Sequence, residues 1–111
     1  MPELDPRQER RAQNELLFRD VNERIEEVHQ TLGSFDQAEF VCECDDALCT
    51  DRFEMSLPEY ERLRADPLTF AVMPGHESPE VEDVVGEGDG YRIVRKHSGE
   101  PARIAAEDAP R

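Results

Sequence analysis

The stretch that decides the fold is Cys42-Glu43-Cys44-Asp45-Asp46-Ala47-Leu48-Cys49, which places three cysteines within eight residues. The 111-residue chain has no other cysteine, so chance clustering is a poor explanation. If Cys42 and Cys44 end a strand, the two-residue period of the strand puts both sulfurs on one face. The four residues that follow allow Cys49 to return beside them. The spacing therefore predicts three thiolates that converge on one metal ion.

Zinc suits this set, because it takes four ligands in a tetrahedron and Cys3His is a standard structural combination. A histidine from elsewhere should complete the site. His76 is preferred, since it follows a predicted strand and the stiff turn Pro74-Gly75. His29, near the end of a predicted helix, and His97, at a predicted turn, are the alternatives. If no histidine binds, an acid such as Asp45, Asp46 or Glu77, or a water molecule, would take the fourth position.

Other chemistries for the three thiols stay open beside structural zinc. An iron–sulfur cluster usually draws on four cysteines, and free thiols could act as a redox sensor. A zinc-dependent hydrolase would need an open metal position with Glu77 as general base. The motifs H-E-x-x-H and H-x-E with P-C-x-x-C are absent, and three anionic thiolates would blunt the Lewis acidity of the metal. We therefore expect a structural ion and no enzyme.

The residues around the cysteines predict a hairpin and a helix. Residues 38–42 and 52–55 have strand patterns and would pair around the metal. Ser56 and Glu59 then form a capping-box pattern, which begins a second helix that ends near Ala65. The apolar side of this helix contains Leu57, Tyr60 and Leu63.

The N-terminal part predicts a long amphipathic helix over residues 7–32, which Gly33 ends. Its apolar stripe recurs at steps of 3, 4, 3 and 4. The stripe could dock on the chain's own sheet or form a dimerisation seam over two heptads. We prefer docking and a monomer, because coiled coils need three or four heptads. The stripe consists of Phe18, Val21, Ile25, Val28 and Leu32, with Leu17 beside it.

The C-terminal half predicts further strands at 68–73, 80–85 and 91–96, with a turn over 86–90. The strand over 91–96 would pair with residues 102–105. The fold class is therefore α+β, with a long N-terminal helix packed on a small, mostly antiparallel sheet and a zinc-bound hairpin. We expect flexible ends at 1–8 and 107–111 around a single zinc-binding domain over 9–106.

Composition limits the possible functions. Hydrophobic residues make up 37% and charged residues 36%, so the core is thin and a metal would help it. The net charge of −14 would repel phosphate backbones, which argues against direct nucleic-acid binding. The sequence shows no signal-peptide pattern and no apolar run of about 20 residues, the length of a membrane span. We therefore expect a cytoplasmic protein with reduced cysteines.

Seven acids lie between Asp36 and Glu54, with Arg52 as the only base among them. Clustered charge of one sign speeds encounter with an oppositely charged surface. This density predicts a regulatory or adaptor module that docks on a basic protein partner. The alternative interpretation is a solvated acidic face that promotes solubility.

The chain contains four motifs that extend over most of its length: F-x-C-E-C-x4-C at 40–49, L-x-E-Y-x-x-x-R at 57–64, F-x-V-x-P-G-H-E at 70–77 and D-A-P-R at 108–111. Together they resemble a group of short uncharacterised proteins from actinobacteria. The likeness covers most of the chain, and it implies that Cys42, Cys44 and Cys49 act together with His76. It implies no activity. Such proteins usually end in Asp-Pro-Arg, whereas Ala109 is inserted here.

Overall fold

The longest element is helix α1, which spans Pro6–Thr31 in this computed structural model. The structure describes residues 6–33, 37–46 and 48–97, with side chains from Arg10 onward. Gly33 follows the helix at φ 76°, a backbone conformation that glycine adopts without steric cost. Its N–H donates to Gln30 O at 3.1 Å. The helix and its glycine stop are therefore confirmed.

A hairpin follows α1, as predicted. Strands β1 (Gln37–Val41) and β2 (Arg52–Ser56) pair antiparallel, with Phe40 opposite Phe53. Helix α2 (Leu57–Arg64) begins directly after β2, and the Ser56 hydroxyl accepts a hydrogen bond from Glu59 N at 3.2 Å. The Glu59 carboxylate accepts from the Tyr91 hydroxyl, a partner in a distant strand. Ser56 is thus the N-cap, and the predicted apolar side of α2 is buried.

The second half of the chain forms a separate three-stranded sheet. Strands β3 (Thr69–Val72), β4 (Glu82–Gly88) and β5 (Tyr91–Lys96) are antiparallel in the order β3-β5-β4. The α+β class is confirmed, with two small sheets. Strand β5 is the central strand, and β3 and β4 pair with its two edges. The predicted partner of β5, residues 102–105, lies outside the described part of the chain.

The turn predicted over 86–90 is wrong in extent. Strand β4 continues to Gly88, with a register shift between Val84 and Gly86, and the turn is only Asp89-Gly90. Gly88 lies opposite Tyr91, and a Cβ at this glycine would fall 2.0 Å from the tyrosine ring. A glycine inside a strand often marks such a close approach. Gly86 and Gly88 therefore lie within β4, where the register shifts and the Tyr91 ring packs. Only Gly90 belongs to the turn.

Within the described residues, the core consists of two clusters of apolar side chains. In the first, the ring of Phe40 stacks on Tyr60 with 4.4 Å between centroids, which joins the hairpin to α2. In the second, Cys42 and Cys44 pack with apolar residues of β3 and β5. Two of the predicted metal ligands are therefore part of the core. The apolar residues of the second cluster are Phe70, Val72 and Val94.

The face of α1 that packs on the rest of the molecule is not the predicted one. The predicted stripe is largely exposed, with 56% of Val28 and 76% of Leu32 accessible, while Ile25 is partly buried against the first cluster. The buried face is mostly polar and recurs at the same helical steps of 3, 4, 3 and 4. It consists of Ala12, Glu15, Arg19, Asn22 and Glu26.

Specific long-range partners explain this reversal. Asn22 accepts from Val41 N and donates to Val41 O, both at 2.8 Å, and so pairs with the open edge of β1. Arg19 donates to Pro67 O at 2.8 Å and lies 5.1 Å over the Phe70 ring. A buried polar group is tolerated when it is hydrogen-bonded. In the described part of the chain, no helix has the length and apolar character needed to cross a membrane.

Candidate metal centre

The end of β1 positions the first two cysteines. Cys42 N donates to Asp51 O at 2.9 Å, which extends the pairing of the hairpin past β1. Glu43 N donates to Ala71 O at 2.8 Å, which holds the same segment against β3. The side chains alternate, so the sulfurs of Cys42 and Cys44 share one side while Glu43 occupies the other, as a strand-like backbone dictates.

Cys49 returns to these two sulfurs through a tight loop. Asp46 shapes it, because its side chain accepts from Leu48 N at 2.9 Å and its carbonyl accepts from Cys49 N at 3.0 Å. This is the local bonding by which aspartate favours turns. The loop thus brings the third thiol back to the end of the hairpin.

His76 comes from the turn after β3. Its N–H donates to Met73 O at 3.0 Å, and Gly75 has φ 91°, which favours glycine at that position. The turn directs the imidazole toward the cysteines. Nδ1 lies 3.5 Å from the sulfur of Cys42 and 3.5 Å from that of Cys49.

The four predicted ligands come together as one cluster. The ligand atoms of Cys42, Cys44, Cys49 and His76 all lie within 4.8 Å of one another. With zinc bonds of about 2.3 Å to sulfur and 2.0–2.1 Å to nitrogen, a tetrahedral centre separates a sulfur from a nitrogen by roughly 3.6 Å. The two 3.5 Å distances match this value. The cluster could therefore hold a metal ion, and all three cysteines are free of disulfides.

Backbone N–H groups and the thiols themselves set the protonation of the cluster. Met73 N donates to the Cys42 sulfur at 3.2 Å. A hydrogen bond from Cys42 lowers the pKa of Cys44 to about 5, with help from the Asp46 N–H and from His76. The pKa of Cys42 is raised by its bond to Cys44 and by burial, and burial also raises that of Cys49. The site thus stabilises one thiolate, and a metal would displace the remaining protons.

The other histidines lie elsewhere. His29 is in α1, and His97 pairs with Asp83 at 3.0 Å between Nε2 and the carboxylate. Among the described residues, the group that could hold a metal includes neither of them. His76 is the histidine that the fold brings to the three cysteines.

The predicted acidic alternatives have partners of their own. Asp45 accepts from Arg11 Nε and from the Ser78 hydroxyl, both at 2.8 Å. Glu77 accepts from Gly75 N at 2.6 Å and from Arg92. The pKa of Glu77 is lowered, first by its own backbone N–H and then by Arg92. A carboxylate held in its charged form in this way is a weak general base.

Sequence reasoning missed two buried charged residues, and the first of them supports the cluster. Glu43 is fully buried and its carboxylate bonds to both helices and to β3. Its position between two ligands is a weak indication of burial, because strand alternation turns its side chain to the face opposite the sulfurs. Lys96 is also buried, 2.5 Å from Glu15 and 2.6 Å from Glu82. Nothing in the local sequence indicates that this lysine has partners in α1 and β4.

Comparison of the chain with protein-family models, with curated proteins and with solved structures found no match. The geometry of the cluster is therefore the observation from which a function can be inferred.

Proposed function

We propose that this chain is a small acidic protein whose fold is stabilised by one zinc ion bound by Cys42, Cys44, Cys49 and His76. The observation that carries the proposal is the pair of 3.5 Å sulfur–nitrogen distances at His76, which suit tetrahedral zinc. Thiolate and imidazole together favour zinc over magnesium or calcium, which prefer oxygen ligands.

A structural role suits the cluster better than a catalytic one. Catalytic zinc keeps an open position beside three protein ligands, whereas four protein ligands close the sphere. Cys42 and Cys44 are only 2% exposed and belong to the second core cluster. The ion would therefore link the hairpin to β3, and its binding energy would contribute directly to folding.

Metal analysis of protein that has never met a chelator tests this proposal. We expect one zinc per chain by elemental analysis and by native mass spectrometry. A chelated sample should lose much of its tertiary order, as measured by near-ultraviolet circular dichroism, and zinc should restore it. A zinc-to-protein ratio near zero would overturn the proposal.

Cobalt substitution separates structural from catalytic zinc. Tetrahedral cobalt with three thiolates and one imidazole gives intense visible and charge-transfer bands that small anions should leave unchanged. Bands that shift on addition of cyanide would show an open position. That result would favour the hydrolase alternative, with Glu77 as the base to test first.

The second part of the proposal is a regulatory or adaptor role toward a basic protein. The net charge of −14 supports it, as do the exposed acids of the hairpin and its loop, which are Glu39, Asp46, Asp51 and Glu54. The acidic surface is smaller than the sequence suggests, because Glu43 is buried, Asp45 is ion-paired with Arg11 and Glu39 is ion-paired with Arg52. The remaining exposed acids form the negative surface that a positively charged partner would contact. We also propose that the protein works in a reducing, cytoplasmic setting. Its likeness to actinobacterial proteins stays a prediction.

Capture from lysate at two salt concentrations tests the adaptor role. A basic partner should be retained at low salt and lost at about 1 M salt, where the screening length falls to roughly 3 Å. A variant with Glu39, Asp46 and Glu54 changed to the corresponding amides should capture less of it. Retention that is insensitive to both changes would contradict docking through acidic charge.

A further inference from the structure

We infer that Asp51 is the positioning residue of the metal centre, which orients His76 so that Nδ1 binds the ion. This inference rests on the proposed zinc site. Asp51 lies in the loop between Cys49 and β2, and it is none of the four ligands.

The two ring nitrogens of His76 face different groups. Nδ1 faces the sulfurs of Cys42 and Cys49 at 3.5 Å, whereas Nε2 lies 3.3 Å from the Asp51 carboxylate. An ionised carboxylate offers only acceptor oxygens, so its position beside Nε2 favours the tautomer that carries the proton on that nitrogen. The lone pair is then on Nδ1, on the side where the metal would lie. Asp51 thus selects the tautomer that can bind.

The backbone of Asp51 contacts two further ligands. Its carbonyl accepts from Cys42 N at 2.9 Å, and its N–H bonds to the Cys49 sulfur. One residue therefore touches three of the four ligands: its main chain spaces the two cysteines, and its side chain reaches the histidine. Substitution of the side chain leaves the backbone contacts in place, so the effect on His76 can be measured separately.

The expected size of the effect follows from exposure. Loss of an outer partner of a metal-bound histidine typically lowers metal affinity 10- to 100-fold. The side chain of Asp51 is 53% exposed, so water can replace part of the interaction. We expect Asp51→Ala to weaken zinc affinity about 10-fold, at the lower end of that range. Asp51→Asn keeps an acceptor oxygen and should fall between Asp51→Ala and the wild type.

The experiment measures zinc affinity by competition with a chromophoric chelator for the wild type, Asp51→Ala, Asp51→Asn and the control Glu54→Gln. Glu54 is an exposed acid on β2, the strand that follows Asp51, so the control removes the same charge from the same hairpin. Long-range proton–nitrogen NMR of the zinc-loaded proteins reports which ring nitrogen of His76 is protonated. Signals are assigned with His29→Gln and His97→Gln variants.

The inference predicts a protonated Nε2 and metal-bound Nδ1 in the wild type, with a changed Nε2 signal in Asp51→Ala. Equal affinities for Asp51→Ala and Glu54→Gln, or zinc on Nε2 of His76, would overturn it while leaving the zinc site intact. A wild-type protein with no zinc affinity would overturn the proposed function and this inference together. Because the tautomer is read in the wild type, the test holds even if a variant fails to fold.

Discussion

The Tyr60 hydroxyl donates a 2.8 Å hydrogen bond to the carboxylate of Glu43, the residue that lies between two cysteines of the metal centre. The same carboxylate accepts from Asn22 at 2.9 Å, from Ala71 N at 2.9 Å and from Arg64 at 3.4 Å. Glu43 therefore ties α1, α2 and β3 to the segment whose opposite side holds the metal ligands. Replacement of Glu43 should therefore destabilise the packing of all three elements.

We predict that Glu43→Ala lowers the free energy of unfolding by about 3–5 kcal/mol, because it leaves the buried Arg64 guanidinium without its carboxylate. Glu43→Gln keeps the shape and should cost less. Urea denaturation of zinc-saturated protein measures both, with the exposed Glu54→Gln as the control, expected within about 0.5 kcal/mol of the wild type. A cost below about 1 kcal/mol for Glu43→Ala would show that this network is not an important support.

The histidine variants should lose zinc unequally. His76→Ala should weaken zinc retention as clearly as Cys49→Ala, because each removes one of four ligands. His29→Ala and His97→Ala should retain the ion nearly as well as the wild type. The measurement is zinc content after dialysis against a weak chelator. Similar retention in all three histidine variants would instead indicate an acid or water as the fourth ligand.

The polar face of α1 gives a matched pair of substitutions. Asn22→Ala should cost about 1–3 kcal/mol, since it leaves the part-buried N–H and carbonyl of Val41 without their side-chain partner. Val28→Ala should change stability by no more than about 0.5 kcal/mol, because Val28 is 56% exposed. Denaturant midpoints at fixed zinc compare them. The opposite ranking would mean that the apolar stripe is the docked face after all.

The buried group around Lys96 predicts a dependence of stability on pH. The Lys96 ammonium lies between the carboxylates of Glu15 and Glu82. Burial raises the pKa of Glu15 to about 8, although the attraction of Lys96 opposes this shift. A raised pKa means that the folded state holds its proton more tightly than the unfolded chain. The stabilisation is complete below the ordinary value of 4.5 and is lost as the pH rises toward 8.

Glu15→Gln should therefore lose this dependence, since a neutral amide cannot ionise. Between pH 5 and pH 8, the difference in unfolding free energy between variant and wild type should move in favour of the variant, by at most about 1.4 kcal/mol per pH unit. Denaturation of both proteins at each pH cancels the contributions of the cysteines and the metal. Parallel pH profiles would show that Glu15 is ionised throughout.

The sequence by itself determined the parts of the fold that depend on neighbouring residues. Cysteine spacing and strand alternation predicted the hairpin and the convergence of Cys42, Cys44 and Cys49, because both follow from backbone geometry. Ser56 identified the start of α2 through its capping bond, and Gly33 identified the end of α1. His76 was preferred on the same local grounds, since a glycine turn after a strand fixes the direction of the next side chain.

Tertiary structure alone decided which side of α1 is buried and what supports the metal centre. Hydrophobic periodicity predicts that the stripe with Val28 is buried. Asn22 and Glu15 are buried instead, because each bonds to a partner that is distant in the sequence and close in the fold. Lys96 is 81 residues from Glu15, and Glu43 meets Arg64 over 21 residues. A buried charge is stable only beside its partner, and no local pattern states which partner the fold will supply.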